Sequence, residues 1–149
     1  MLYVGKLDFP HDKKDLLRKM NLQSGGKVQQ VIDSSVIRYC IPYVPFESGD
    51  LAGSAYRETV IGSGTVKYPG PYAHYMYYGE VYGPNFPIFI EGDAEPIWRS
   101  KKGQEKYPMG RKLKYRTEKN ALAGSFWFER MKADHLDDIV KEAKAVVGV

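Results

Sequence analysis

The chain has 149 residues, 43% hydrophobic and 27% charged, and a formal net charge of +4. This length predicts one domain, 1–149, able to hide roughly two-thirds of its unfolded surface. Its single cysteine, Cys40, excludes an intrachain disulfide framework and points to folding in a reducing compartment, and no run is apolar enough to span a membrane.

Asp8, His11 and Asp12 arrive before any apolar core forms, so no signal peptide is expected. Asp12 is placed to cap a short helix carrying Leu16, Leu17 and Met20 on one face. Gly25 and Gly26 break it. A cleaner stripe follows, with Val28, Val31, Ile32, Ser35, Val36 and Tyr39 at helical spacing. Cys40 ends that stripe and reads as a small buried hydrophobe. Pro42 stops the helix, because proline lacks the amide donor and holds Ile41 extended. The next stretch, Pro42-Tyr43-Val44-Pro45-Phe46-Glu47-Ser48-Gly49-Asp50-Leu51 with Ser54, reads as an ordered aromatic and proline connector without a regular element. Gly49 supplies a permissive turn and Asp50 a side chain that bonds nearby amides.

Ala55 to Ile61 and Thr65 to Tyr68 are predicted strands, turned by Gly62-Ser63-Gly64. Pro71 suits the first turn of a helix and Gly79 its far end. On that helix Tyr72, Tyr75 and Met76 share a face and Tyr78 extends the aromatic surface. Pro87 to Ile90 is extended. Residues 93–119 show little periodicity and are expected to form a long basic loop or arm. The last helix is predicted to be capped by Asn120, with Leu122, Phe126, Trp127 and Met131 on its apolar face. Leu136, Ile139, Val140 and Ala143 continue that face, unless Asp134 and His135 interrupt it. The expected fold is α+β: a small antiparallel sheet packed against N-terminal and C-terminal helices.

Charge is unevenly placed. Arg99, Lys101, Lys102, Lys106, Arg111, Lys112, Lys114, Arg116 and Lys119 meet only Glu105 and Glu118 in their segment, a local net of +7 that leaves −3 for the rest. Such a band suits phosphate contacts, a solvated loop, or an acidic face on a neighbouring subunit. No zinc finger, recognition helix or nucleotide-binding glycine loop accompanies it.

Catalytic chemistry finds little support. His11, His74 and His135 are far apart in sequence and form no metal-ligand pair. Ser48 and Asp50 have no nearby histidine or lysine, so their turn-forming role is the better reading. Neither a catalytic residue nor a cofactor or metal site is assigned. The 12 tyrosines instead suit an assembly surface, because tyrosine gives large contact area with few rotatable bonds.

Three blocks in order carry a family resemblance: the connector with Gly49, Leu51 and Ser54; Pro71-Tyr72-Ala73-His74-Tyr75-Met76-Tyr77-Tyr78-Gly79; and Ala123-Gly124-Ser125-Phe126-Trp127-Phe128-Glu129-Arg130-Met131-Lys132-Ala133. The chain resembles the minor capsid or head–tail joining proteins of tailed bacteriophages, from about Val28 to Ala143. The resemblance implies a noncatalytic structural virion protein: a ring-forming connector or tail-completion subunit joining a DNA-filled head to its tail. On that basis Tyr43, Pro45, Gly49, Asp50, Leu51 and Ser54 form a structural turn. Tyr72, Ala73, Tyr77, Tyr78 and Gly79 form the family helix and its cap, and Trp127 and Phe128 anchor a last helix behind a variable basic loop. The implied partners are further copies in a ring, head-connector proteins and tail-tube or tail-terminator proteins, with nonspecific contact to DNA in transit and no membrane. The implied location is the virion neck, after assembly in the host cytoplasm. The competing expectation is a DNA-binding accessory protein using segment 99–119.

Overall fold

Helices α1 (Lys13–Lys19) and α2 (Lys27–Cys40) open the described part of the chain, a computed structural model that covers residues 13–46, 50–70 and 72–148. Helices α3 (Asp50–Glu58) and α4 (Ala73–Tyr78) come next. Strands β1 (Glu80–Gly83), β2 (Phe86–Ile88), β3 (Ile97–Arg99) and β4 (Tyr107–Lys112) precede the long α5 (Trp127–Val147). The expectations for Asp12, His11, Ser48, Gly49 and Pro71, and for the Leu16 and Asp50 side chains, lie outside the described residues. The class is α+β, with antiparallel strands arranged as two two-stranded sheets.

The core forms where α2 crosses α5. Cys40, Tyr43, Val44, Trp127, Met131 and Ile139 are buried together, with Ile32, Val36, Leu51, Tyr68 and Tyr77 packed around them. The helical stripe of α2 forms one flank of its inward face: Val28 and Ser35 are buried and Val31, Ile32, Val36 and Tyr39 half-buried, while Ile37, off the stripe, is fully buried. Burial raises the Cys40 thiol to about 11, as suits a buried small side chain and not a reactive one.

Polar groups clamp the same two helices. Glu142 of α5 accepts hydrogen bonds from Ser35, Arg38 and, at 2.8 Å, the Tyr39 hydroxyl. Asp134 accepts from the Tyr43 hydroxyl at 2.5 Å, and the His135 ring stacks on Tyr39 with centroids 4.6 Å apart. His135 thus joins α5 to α2 and Asp134 joins it to the connector just beyond, and the helix runs through them unbroken. The outward positions Leu136 and Val140 are exposed, so the apolar face of α5 is narrower than its spacing predicts.

Asn120 does not cap α5. Its amide donates to the carbonyls of Ile41 and Val44, both at 2.9 Å, and so satisfies acceptors left open beyond α2. Phe126 holds the capping position in a left-handed conformation, φ 49°, fixed by its N–H donating to the Tyr77 carbonyl at 2.8 Å. Leu122 and Phe126 are exposed instead of lying on the buried face.

The predicted strand over 55–61 is a correction. Its first residues, Ala55–Glu58, complete α3, and the connector's last residues, Asp50 and Leu51, begin it. Ser54 bonds back to the Leu51 carbonyl at 2.7 Å and Ala55 is fully buried. The extended preference of Thr59, Val60 and Ile61 takes effect only after the helix stops; packing of Ala55 overrides it before then. Residues 65–68 pair with no strand among the described residues. Thr65 N–H bonds the Ser63 hydroxyl of the preceding turn at 3.2 Å, and Lys67 N–H donates to Thr59 Oγ1, just beyond α3, at 3.0 Å.

The unpatterned region 93–119 also contains order the periodicity misses. β1 pairs antiparallel with β4, Gly83 opposite Tyr107, and β2 pairs with β3, Phe86 opposite Arg99. The two sheets are successive stretches of one ribbon that leaves α4, turns at 89–96 and returns toward α5. Gly79 joins the ribbon to α4. It ends that helix at φ 72°, and its carbonyl accepts from Leu113 N–H at 2.9 Å. A side chain there would strike the Tyr115 hydroxyl at 2.8 Å, so both the φ and the close approach call for glycine.

The Glu142 clamp predicts a pH dependence. The hydrogen bond from Ser35, then that from Tyr39 and the charge of Arg38, lower the Glu142 pKa against the opposing effect of burial. The folded pKa lies below the unfolded one, so this stabilisation is full above the unfolded pKa and is lost as pH falls through the folded pKa. Urea unfolding across the acid range should show wild type losing stability more steeply than Glu142→Gln. Identical pH profiles would remove the clamp from the account.

Candidate functional site

Trp127 organises the first candidate surface. It is 2% exposed and receives Tyr77 edge-on at 4.7 Å and Tyr68 at 5.4 Å between ring centroids. Such aromatic pairs add about 0.5–1.5 kcal/mol each beyond area burial. The Tyr77 hydroxyl bonds to Glu129 in the first turn of α5, and burial followed by that bond raises its pKa. Arg130 reaches back to the Ser125 carbonyl at 2.9 Å and lies over the Tyr43 ring at 5.5 Å. The connector, α4 and the start of α5 thereby become one block.

Most of the expected structural positions meet there. Tyr43, Pro45, Ser54, Ala73, Gly79 and Trp127 are buried, and Leu51 and Tyr77 pack against the core. Tyr72, Tyr78 and Phe128 do not join them: Tyr72 is 71% exposed, and Tyr78 and Phe128 also face outward. Phe128 is therefore no anchor of α5; Trp127 alone has that role, since adjacent residues on a helix face different directions.

An open groove of about 810 Å³ lies over this block, between α2, α4 and the segment 64–70. Ile32, Val36, Val66, Tyr68, Tyr77 and Trp127 give it an apolar floor. Its one carboxylate, Asp33, is 2% exposed and already committed. Asp33 accepts from Gly62 N–H at 2.8 Å, Gly64 N–H at 3.1 Å and the Gln29 amide at 2.8 Å. Gly62-Ser63-Gly64 does turn, held by a buried acid on α2, but it joins α3 to an unpaired segment and not two strands. Asp33 has no obvious signal in the sequence beyond being an acid amid an apolar stripe.

Among the described residues, His74 and His135 lie on different elements and do not come together. His74 is exposed and rests on Tyr75 and Tyr78, while His135 stacks on Tyr39 and bonds Asp138 at 3.0 Å. Among the described residues no three His, Cys, Asp or Glu side chains come together as metal ligands.

The ribbon is the second candidate surface. Of the basic residues, Arg99, Lys101, Lys102, Arg111, Lys112, Lys114, Arg116 and Lys119 are exposed and Lys106 is half-buried. Among the described residues none of the nine forms an ion pair; Lys119 instead lies over the Phe46 ring at 4.5 Å. Apolar side chains accompany the charge. Phe89 is 78% and Trp98 59% exposed, and Phe86, Ile88, Ile90, Ile97 and Tyr107 are exposed as well. A two-stranded ribbon with such surface is marginal in water by itself. The exposure of these apolar side chains on the ribbon is not legible from an extended run at Pro87 to Ile90 and a region 93–119 without periodicity. The usable signal was two short apolar runs, Phe86–Ile90 and Ile97–Trp98, flanking the Glu91-Gly92-Asp93 turn.

The Asp33 arrangement yields a mutational test. Asp33→Ala strands the buried Gly62 N–H, whereas Gly64 is exposed and can turn to water. The loss should be roughly 1–3 kcal/mol. Asp33→Asn keeps a carbonyl oxygen for the glycine amides and should cost much less. Urea melts of both variants check the order, and equal losses would show that the glycine turn does not depend on this acceptor.

No family model, curated protein or solved structure matches the chain.

Proposed function

We propose that the protein is a noncatalytic structural subunit of a tailed-phage virion, a ring-forming connector or tail-completion protein that joins the DNA-filled head to the tail. The supporting observation is the division of labour in the fold. Tyr43, Leu51, Tyr77 and Trp127, drawn from three separate blocks of the resemblance, pack into one core. A ribbon with unburied apolar and basic side chains leaves that core. A part that assembles needs a rigid body and an adhesive extension, and residues doing structural work in the core fit that better than residues converging on a substrate. Its proposed neighbours are further copies of itself, the head connector, and tail-tube or tail-terminator proteins at the virion neck.

A second reading draws on the nine exposed or half-exposed basic residues: a DNA-binding accessory protein using 99–119. It requires duplex binding that weakens steeply as salt rises. The tip of the ribbon weighs against it. Glu91, Asp93 and Glu95 put three acids, and no base, in the turn at 89–96 that projects furthest along the ribbon. A phosphate backbone would be repelled there.

Particles assembled without the protein should contain filled heads and complete tails that fail to join, seen by negative-stain microscopy. Joined, infectious particles in its absence would refute the head–tail assignment.

A further inference from the structure

The ribbon carries both halves of a contact. Its tip is apolar and acidic, with Phe89 and Ile90 exposed beside Glu91, Asp93 and Glu95. A notch of about 520 Å³ lies between α4 and the ribbon strands β1 and β3. Tyr72, Tyr75, Tyr82 and Trp98 make its aromatic lining, and Arg99 and Lys106 bring two positive charges to it against the single Glu80. In its own chain the tip does not enter the notch: Phe89 stands 78% exposed and no residue of 89–96 lines it.

We propose that the tip of one copy seats in the notch of the next, Phe89 against the tyrosines and Trp98, with Glu91, Asp93 and Glu95 facing Arg99 and Lys106. This rests on the ring-forming reading above and gives that ring its contact. The occupant is a second copy because one chain supplies both matched surfaces, an apolar knob with an acidic rim and an aromatic socket with a basic rim. The larger groove over Trp127 lacks this match. It has no lysine or arginine in its lining, so the acids of the tip would find no counter-charge there. Tip and notch are different patches, so the contact is heterologous, and repetition closes a ring or extends a filament according to the rotation per copy. Aromatic and apolar burial supplies most of the adhesion, and the charges fix which end enters. This differs from a basic arm laid on an acidic body, since the basic residues belong to the receiving side.

Charge exchange tests it on the full chain. The tip variant E91K/D93K/E95K and the notch variant R99E/K106E are each compared with wild type by sedimentation and by thermal melts. Wild type should gain mass with concentration, and each variant alone should stay monomeric with an unchanged melt. Mixing the variants restores both pairings, an acidic tip in a basic notch and a basic tip in an acidic notch, so higher assemblies should return. A wild type that stays monomeric, variants that assemble like wild type, or a mixture that stays monomeric would each overturn the contact. So would a duplex-DNA shift lost in R99E/K106E with mass unaltered, which would give the ribbon to nucleic acid. Particles separate this from the parent reading. If heads and tails join with the notch variant but not without the protein, the contact fails and the head–tail role stands.

Discussion

The burial of Trp127 between Tyr77 and Tyr68 is the interaction on which the rest of the fold hangs. Its ring brings three distant stretches together: the end of α2 with its connector, the tyrosine helix α4, and the start of α5. Phe126 adopts a positive φ beside it, a conformation uncommon outside glycine and held here by the Tyr77 carbonyl. The geometry that admits the indole also fixes where the ribbon leaves, because Gly79 caps α4 within reach of Tyr115 and Ser125. A small error in this block would therefore re-aim the ribbon, which has no core of its own to correct it.

Away from that block, polar contacts specify the pairing of α2 and α5. Apolar burial between two helices is weakly directional. Glu142 with Ser35, Arg38 and Tyr39 sets the register along the helix pair, and Asp134 with Tyr43 ties the connector beyond α2 to α5. Asp33 does comparable work between α2 and the glycine turn. These acids look like ordinary solvated helix residues in a linear chain, and only long-range partners reveal their use.

How far the sequence could be read follows from this distinction between local and long-range causes. Helix α2 does end before Pro42, but Ile41 is helical at φ −48° and ψ −48° and not extended, and the Cys40 carbonyl takes the Tyr43 and Val44 amides in a further turn. The short tyrosine helix closed by Gly79 was legible, because spacing and backbone chemistry decide it. Helix α3 was not, because Thr59, Val60 and Ile61 advertise a strand while the burial of Ala55 wins for a helix. Asn120 looked like a cap and instead serves carbonyls beyond a different helix. Strands β3 and β4 carry little periodicity because both faces of the ribbon are largely exposed, so no alternation of apolar and polar residues is imposed on them. Of the candidate assembly surface, the basic residues and Tyr72 and Tyr75 were visible early; the acidic, apolar tip became meaningful only once folding set a complementary notch beside the same ribbon.

A rigid body bearing an unsupported ribbon is the central physical claim, and amide hydrogen exchange on the isolated chain at low concentration tests it most directly. Amides of α2 and α5 should exchange slowest, through global unfolding, while those of β2 and β3 exchange much faster by local opening. Protection in β2 and β3 equal to that of α2 and α5 would contradict the account, because the ribbon would then share the stability of a core it does not touch.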